Sequence, residues 1–242
     1  MISPHFKNTD SLKTMLINLP VNLDNRRDFE TKIHPYQMLS MSSYLKKQGW
    51  DVVLYDAQVY ERLREEILET INQLKPDIVG LTCMTYQVGT ISSFAESIRN
   101  AFPEIKIVLG GAHASAEPTS TLQQIVNIDY VCIGEGELVM EQLLTNLSNG
   151  EDISSIDGLG MRIDDEIKVN NEMQVIEDLD NMPFGDYDSI PMELYWDSHI
   201  IRKNYVTIFG SRGCPYPCSF CAVSAVLGKR VRKRSPENIG EE

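Results

Sequence analysis

The chain has 242 residues, 42% of them hydrophobic, and a net charge of −13, which suits a globular protein of one large or two small domains. No run approaches the ~20 apolar residues of a membrane span, and the amino terminus lacks a basic-then-apolar signal pattern, so a cytoplasmic protein without a membrane span is expected. Residues 198–242 hold eight Lys/Arg against three Glu, a net of +5, leaving −18 for the remainder; this asymmetry predicts two units with different tasks and argues against nucleic acid as a partner of the acidic unit.

In chain order, residues 13–19 read as a short buried strand stopped by Pro20, followed by a polar loop to residue 31. His34-Pro35 opens a helix to about residue 48, with Gly49 placed to end it. Residues 51–56 form a second strand, and residues 60–74 a helix whose Leu63, Ile67, Ile71 and Leu74 share one face. Pro76-Asp77 leads into a third strand, 78–83, apolar throughout as in a sheet covered on both faces. A helix over 88–101 precedes strand four, 105–109, which ends in Gly110-Gly111-Ala112-His113. A helix over 118–126, strand five over 130–133 and the phrase Gly134-Glu135-Gly136-Glu137 follow, then a last helix over 138–148.

Five alternations of strand and helix predict right-handed crossovers and a doubly wound, parallel, five-stranded Rossmann-like sheet in the flavodoxin-like order 2-1-3-4-5. Ligands of such sheets bind beyond the carboxyl ends of the strands. The loops there are Pro20-Val21-Asn22, residues 82–86, 110–113 and 134–137, small enough in three cases for a bulky planar ligand to approach the backbone. The predicted organisation is a Rossmann-like domain over 1–150, a connector over 151–197 and a third unit over 198–242. The connector contains a hairpin, 159–163 with 167–170, around Asp164-Asp165-Glu166, then an acidic, Pro-punctuated crossing segment. Residues 205–210 read as an apolar strand and 222–227 as a helix. The cations at 229, 230 and 232–234 read as a solvated face.

Between that strand and that helix lie three of the five cysteines, Cys214, Cys218 and Cys221, spaced CxxxCxxC within Ser211-Arg212-Gly213-Cys214-Pro215 and its continuation. Thiolates this close can converge on one metal centre. Three of them leave a four-iron cube with one iron open to a small chelating molecule, whereas zinc would want a fourth ligand, for which His199 is the nearest candidate. Cys83 and Cys132, in or beside apolar strands, read as ordinary buried residues.

The CxxxCxxC spacing, with Phe220 before the third cysteine, resembles the radical S-adenosylmethionine (SAM) enzymes. The phrases His34-Pro35, Pro76-Asp77-Ile78-Val79-Gly80, Gly110-Gly111-Ala112-His113 with Pro118, and Gly134-Glu135-Gly136-Glu137, in that order, resemble the subgroup with an amino-terminal cobalamin-binding domain. The resemblance implies that Cys214, Cys218 and Cys221 hold a [4Fe–4S] cluster, that SAM chelates its open iron and is cleaved to a 5′-deoxyadenosyl radical, and that Phe220 packs near the SAM adenine. It implies a corrin cradled by Thr82, Thr85, Tyr86, Gly110, Gly111, Ala112, His113, Gly134, Glu135 and Gly136. Many cobalamin carriers offer an axial His in an Asp-x-His-x-x-Gly phrase after strand one. Residues 20–31 contain no His, and Asp197-Ser198-His199 mimics only the start of that phrase, so cobalamin is expected base-off with no His ligand. One cation of the tract ending in Arg234-Ser235-Pro236 is expected to screen the charge of the cluster and SAM.

The function so implied is a cobalamin-dependent radical-SAM enzyme that methylates, rearranges or cyclises an unactivated carbon of a small molecule or modified metabolite. It would take electrons from a flavodoxin- or ferredoxin-type donor. The alternatives are a radical-SAM enzyme whose Rossmann-like domain binds no cobalamin, and a corrinoid or iron–sulfur binding module without catalysis. A (β/α) barrel needs ~200 residues, so 198–242 would carry only its first strand, and the chain is expected to be an inactive fragment.

Overall fold

The structure, a computed structural model, describes residues 12–24, 32–163, 166–197 and 205–242. Five short apolar runs form parallel strands: β1 (Lys13–Asn18), β2 (Asp51–Asp56), β3 (Ile78–Thr82), β4 (Lys106–Gly110) and β5 (Tyr130–Cys132). Their spatial order is 2-1-3-4-5, as expected. The helices between them are α1 (Tyr36–Lys47), α2 (Arg64–Leu74), α3 (Val88–Ala101), the short pair α4 (Ala112–Ala116) and α5 (Pro118–Gln124), and α6 (Gly136–Asn149).

Side chains alternate across each strand, and so build two cores. Met15, Ile17, Val79 and Leu109 face one layer with Ile67 and Ile71 of α2, Phe94 and Ile98 of α3 and Leu122 of α5. Leu16, Ile78 and Val108 face the other with Leu39 and Leu45 of α1 and Val139, Leu143 and Leu144 of α6. Each fully buried Leu, Ile or Phe contributes about 1.5–3 kcal/mol.

Three expectations differ in detail. The hairpin β6 (Leu159–Ile163) and β7 (Glu166–Val169) is not a separate connector element. It extends the sheet to seven strands, β6 pairing antiparallel with β5 and covering an edge that three residues alone would leave open. α2 begins at Arg64 rather than residue 60, because Glu66 accepts a 2.8 Å hydrogen bond from the Leu63 N–H and caps the helix there. Residues 205–210 form no strand. Tyr205, Thr207 and Phe209 point inward while Val206 and Ile208 are exposed, so the period of two is present, but among the described residues no neighbouring backbone completes a ladder. The turn of the predicted hairpin, His199 and the 25–31 part of the first loop lie outside the described residues.

Beyond four single-turn 3-10 helices, the remaining elements among the described residues are β8 (Ser211–Arg212), α7 (Val223–Leu227), β9 (Arg232–Lys233) and α8 (Pro236–Glu241). β8 and β9 form a two-residue antiparallel ladder, Arg212 opposite Arg232, which closes the base of the excursion 213–231 that carries the three cysteines.

A candidate cofactor site at the carboxyl edge of the sheet

The loops after β3, β4 and β5 are knitted into one surface. Cys83 N–H donates to Gly110 O (3.0 Å) and His113 N–H to Cys83 O (3.1 Å). The Thr85 hydroxyl lies 3.2 Å from His113 Nδ1, and Gly134 N–H donates to Ser115 Oγ (3.0 Å). Thr82, Thr85, Gly110, Gly111, Ala112, His113 and Gly134 are thereby brought together. Gly111, at φ 96° and ψ −179°, adopts backbone open essentially to glycine alone. A Cβ there would stand 2.6 Å from Thr82 Oγ1 and 2.7 Å from Cys83 N.

Met84 and Tyr86 (47% and 68% exposed) and Val21 present apolar side chains to solvent on this edge, and His113 Nε2 is buried with no hydrogen-bond partner among the described residues. Bare backbone, exposed apolar groups and an orphaned ring nitrogen fit a large planar ligand with polar fringes. Two shallow depressions of about 300 Å³, around Pro76, Glu104 and Ile105, lie at the amino end of the strands and have no part in this arrangement.

Glu135 and Glu137 are both buried, and their carboxylates face charged partners. Glu137 Oε1 accepts from Arg212 Nη2 (2.7 Å) and from Ser40 Oγ of α1 (2.8 Å). Glu135 Oε2 accepts from Arg212 Nη1 (3.1 Å), Arg232 Nη1 (2.9 Å) and the Ile176 N–H (3.1 Å), and its Oε1 accepts from Arg232 Nη2. Burial alone raises the Glu137 carboxyl, but the Arg212 guanidinium outweighs it and holds that carboxyl below its ordinary value. Burial likewise opposes the charge on Arg212, yet Glu137 and Glu135 keep it firmly protonated. The side chain of Glu135, expected on the cradle, is thus engaged with two arginines. Gly136 starts α6 against Met41.

The cysteine excursion stands at the same edge, since α7 packs on α4. All three thiols are free; Cys214 is half-buried and Cys218 and Cys221 are exposed. Phe220 is 91% exposed. Cys221 N–H donates to Cys218 O (3.1 Å) and Cys214 N–H to Gly228 O (3.1 Å). Among the described residues no three His, Cys, Asp or Glu side chains are grouped as metal ligands. The structure therefore supplies a chemically suitable donor set, three reduced thiols in one loop, without drawing the sulfurs together. Cys83 and Cys132 are different: burial pushes their thiols up to about 11 and about 12, which leaves them inert.

Of the basic tract, Arg232 is buried on Glu135, Arg234 pairs with Glu242, and Arg230 pairs with Glu177 on the surface. This anchoring was not read from the sequence. Its one local sign was the pair of glutamates flanking Gly136. Nor was the setting of His34, which is buried with its ring 4.4 Å from that of Tyr195 and 4.7 Å from that of Tyr205, and with Nδ1 3.2 Å from Thr207 Oγ1.

The sheet order and its glycine-lined carboxyl edge define a doubly wound α/β domain with a ligand edge at the carboxyl ends of its strands. Residues 24–144 match the B12 binding domain family. The chain belongs to that family, in the group that joins a cobalamin-binding domain to a radical-SAM unit. It is 29% identical over 231 residues to an uncharacterised methyltransferase of Pyrococcus horikoshii, covering 96% of this chain and 50% of the relative. It is 30% identical over 213 residues to the anaerobic magnesium-protoporphyrin IX monomethyl ester cyclase of Rubrivivax gelatinosus, covering 86% and 38%. The chain spans about half the length, or less, of these curated relatives. Its fold is that of the cobalamin-dependent SAM radical enzyme OxsB with aqua-cobalamin bound (TM-score 0.79, 21% identity, 96% of this chain and 31% of that one). It is also that of the radical SAM methyltransferase TsrM from Kitasatospora setae with cobalamin and a [4Fe-4S] cluster bound (TM-score 0.71, 19% identity, 96% and 45%). Among the described residues no helix is long and apolar enough to cross a membrane.

Proposed function

We propose that the protein is a cobalamin-dependent radical-SAM enzyme and that this chain supplies two of its parts: the corrin cradle within residues 1–150 and the cluster loop within 198–242. The observation that carries the reading is positional. The cysteine loop is held at the carboxyl edge of the sheet, beside the glycine loops, by Arg212 two residues before Cys214.

Met84 and Tyr86 offer exposed apolar faces to the macrocycle, and a polar group of the ligand would give His113 Nε2 the partner it lacks among the described residues. Residues 20–31 contain no His, so cobalamin would sit base-off without a His ligand. Cys214, Cys218 and Cys221 would hold the cluster, and Phe220 would be covered by SAM. When bound, cluster and SAM supply one-electron bond cleavage and cobalamin supplies methyl carriage. The substrate would be a small molecule or modified metabolite with an unactivated carbon, and the electron source a flavodoxin- or ferredoxin-type protein in a reducing, cytoplasmic compartment.

Anaerobic reconstitution with iron and sulfide, with Cys214→Ala as control, tests the cluster; equal iron in both proteins would remove that half of the reading. Titration with hydroxocobalamin tests the cradle by the visible spectrum. An unchanged spectrum would favour instead a radical-SAM enzyme with an empty Rossmann-like domain.

A further inference from the structure

The three cysteines are exposed or half-buried, yet the base of the excursion that carries them holds four largely buried charged side chains. The side chains of Glu135, Glu137, Arg212 and Arg232 are 1%, 6%, 12% and 4% exposed. The two arginines are cross-strand neighbours in the β8–β9 ladder, so a single pair of residues closes the excursion and both members enter the same loop, the one that starts α6. Arg232 also donates to Leu227 O (2.9 Å), at the end of α7, and to Ile176 O (2.6 Å) in the connector. At Gly213 (φ 89°) a Cβ would collide with Arg230 O, so the two limbs of the excursion touch just above the ladder.

We infer that Glu135 and Glu137 are positioning residues for the cysteine loop: through Arg212 and Arg232 they clamp its base to the carboxyl edge, fixing where Cys214, Cys218 and Cys221 stand relative to the cradle. Arginine suits this task because its planar fork sets direction as well as charge. The clamp rests on the reading above only in treating the excursion as a cluster loop. It needs neither iron nor cobalamin to exist, so it can be measured without them.

The chain carries its own reporters. Cys214, half-buried beside the ladder, reads the base of the excursion, Cys218 reads its exposed tip, and buried Cys83 and Cys132 read the integrity of the sheet. Iodoacetamide labelling of the reduced chain, resolved by peptide mass spectrometry, gives the rate at each thiol. In the wild type Cys214, the less exposed thiol, is expected to react more slowly than Cys218. In Arg212→Met and in Glu137→Gln the ratio is expected to rise about tenfold, the change expected when 1.4 kcal/mol of local closure is lost, with Cys83 and Cys132 still unreactive. Arg212→Lys, which keeps the cation, should recover part of the difference. Arg230→Ala should change nothing, because its pair with Glu177 is exposed on both sides. Iron held after anaerobic reconstitution should fall in the same order.

An unchanged Cys214 ratio in Arg212→Met and Glu137→Gln with the core thiols still protected overturns the clamp. So does a raised ratio that leaves iron content as in the wild type. If a substitution exposes Cys83 and Cys132 as well, Arg212→Lys decides: a ratio below that of Arg212→Met, with more iron held than in Arg212→Met, supports the clamp, and a ratio equal to that of Arg212→Met refutes it. Absence of iron from the wild type itself would sink the functional reading, while the labelling ratio would still decide the clamp.

Discussion

Gly111→Ala is the substitution most directly priced by the structure. The backbone at φ 96°, ψ −179° lies in the region kept to glycine, and a Cβ would come within 2.7 Å of Cys83 N and 2.8 Å of Cys83 O. Neither backbone atom can retreat, since Cys83 N–H donates to Gly110 O and Cys83 O accepts from His113 N–H. Strain of about 1–3 kcal/mol and overpacking of about 1–3 kcal/mol together predict a loss of about 2–6 kcal/mol, a large part of the ~5–15 kcal/mol of a folded domain. Urea denaturation followed by far-ultraviolet circular dichroism measures it, and a hydroxocobalamin titration of the same variant should show weakened binding. Gly134→Ala provides the contrast. It meets only the Met173 side chain, which can swing away, so its cost should be the smaller of the two. Gly89→Ala, with nothing within 4 Å, should stabilise α3 by up to ~1 kcal/mol. A Gly111→Ala variant within ~0.5 kcal/mol of wild type would refute the geometry given for the loop.

Removing one member of the buried ion network should be severe: Arg232→Met leaves the Glu135 carboxylate under-compensated and is expected to cost about 3–5 kcal/mol in urea denaturation. Adding Glu135→Gln should restore much of that, whereas additive losses would argue against coupling. His34 predicts an acid dependence. Burial lowers its folded pKa from 6.5, so the unfolded chain binds the proton more readily. The stability it contributes is complete above 6.5 and is lost as pH falls through the lower folded value. Thermal melts from about pH 8 to about pH 5 should show this loss in the wild type and a shallower one in His34→Gln; parallel profiles would remove His34 from the account.

What was legible in the sequence is what local pattern encodes. Five apolar runs spaced by helical periodicity determine the parallel order, and glycines at the ends of strands four and five mark where backbone must stay bare. What was not legible depends on distant partners. The apolar run at 205–210 was visible, but a strand also needs a neighbour, and none is present among the described residues. The hairpin was visible, but not that it would cover β5. The roles of Glu135 and Glu137 depended on arginines 75 to 97 residues away, and a run of cations gives no sign of which members will be buried.

That last point bears on why the network is ionic at all. The +5 of residues 198–242 against −18 elsewhere looks like a solvated basic face, yet Arg212, Arg232 and Arg234 are all taken up by carboxylates, Glu135, Glu137 and Glu242. Desolvating such charges costs several kcal/mol per ion, and apolar replacements of similar volume are often as stable. Stability alone therefore does not account for them, whereas direction does: a forked guanidinium on two carboxylates admits one orientation of the loop base, and an apolar contact admits several. The paired variant Glu137→Leu with Arg212→Met separates the two explanations. It should match the wild type in urea denaturation to within about 1–2 kcal/mol, since no charge is left unpaired at Glu137, and it should still raise the Cys214 labelling ratio. A variant as unstable as either single change, with the ratio unmoved, would show that these charges only hold the segment down.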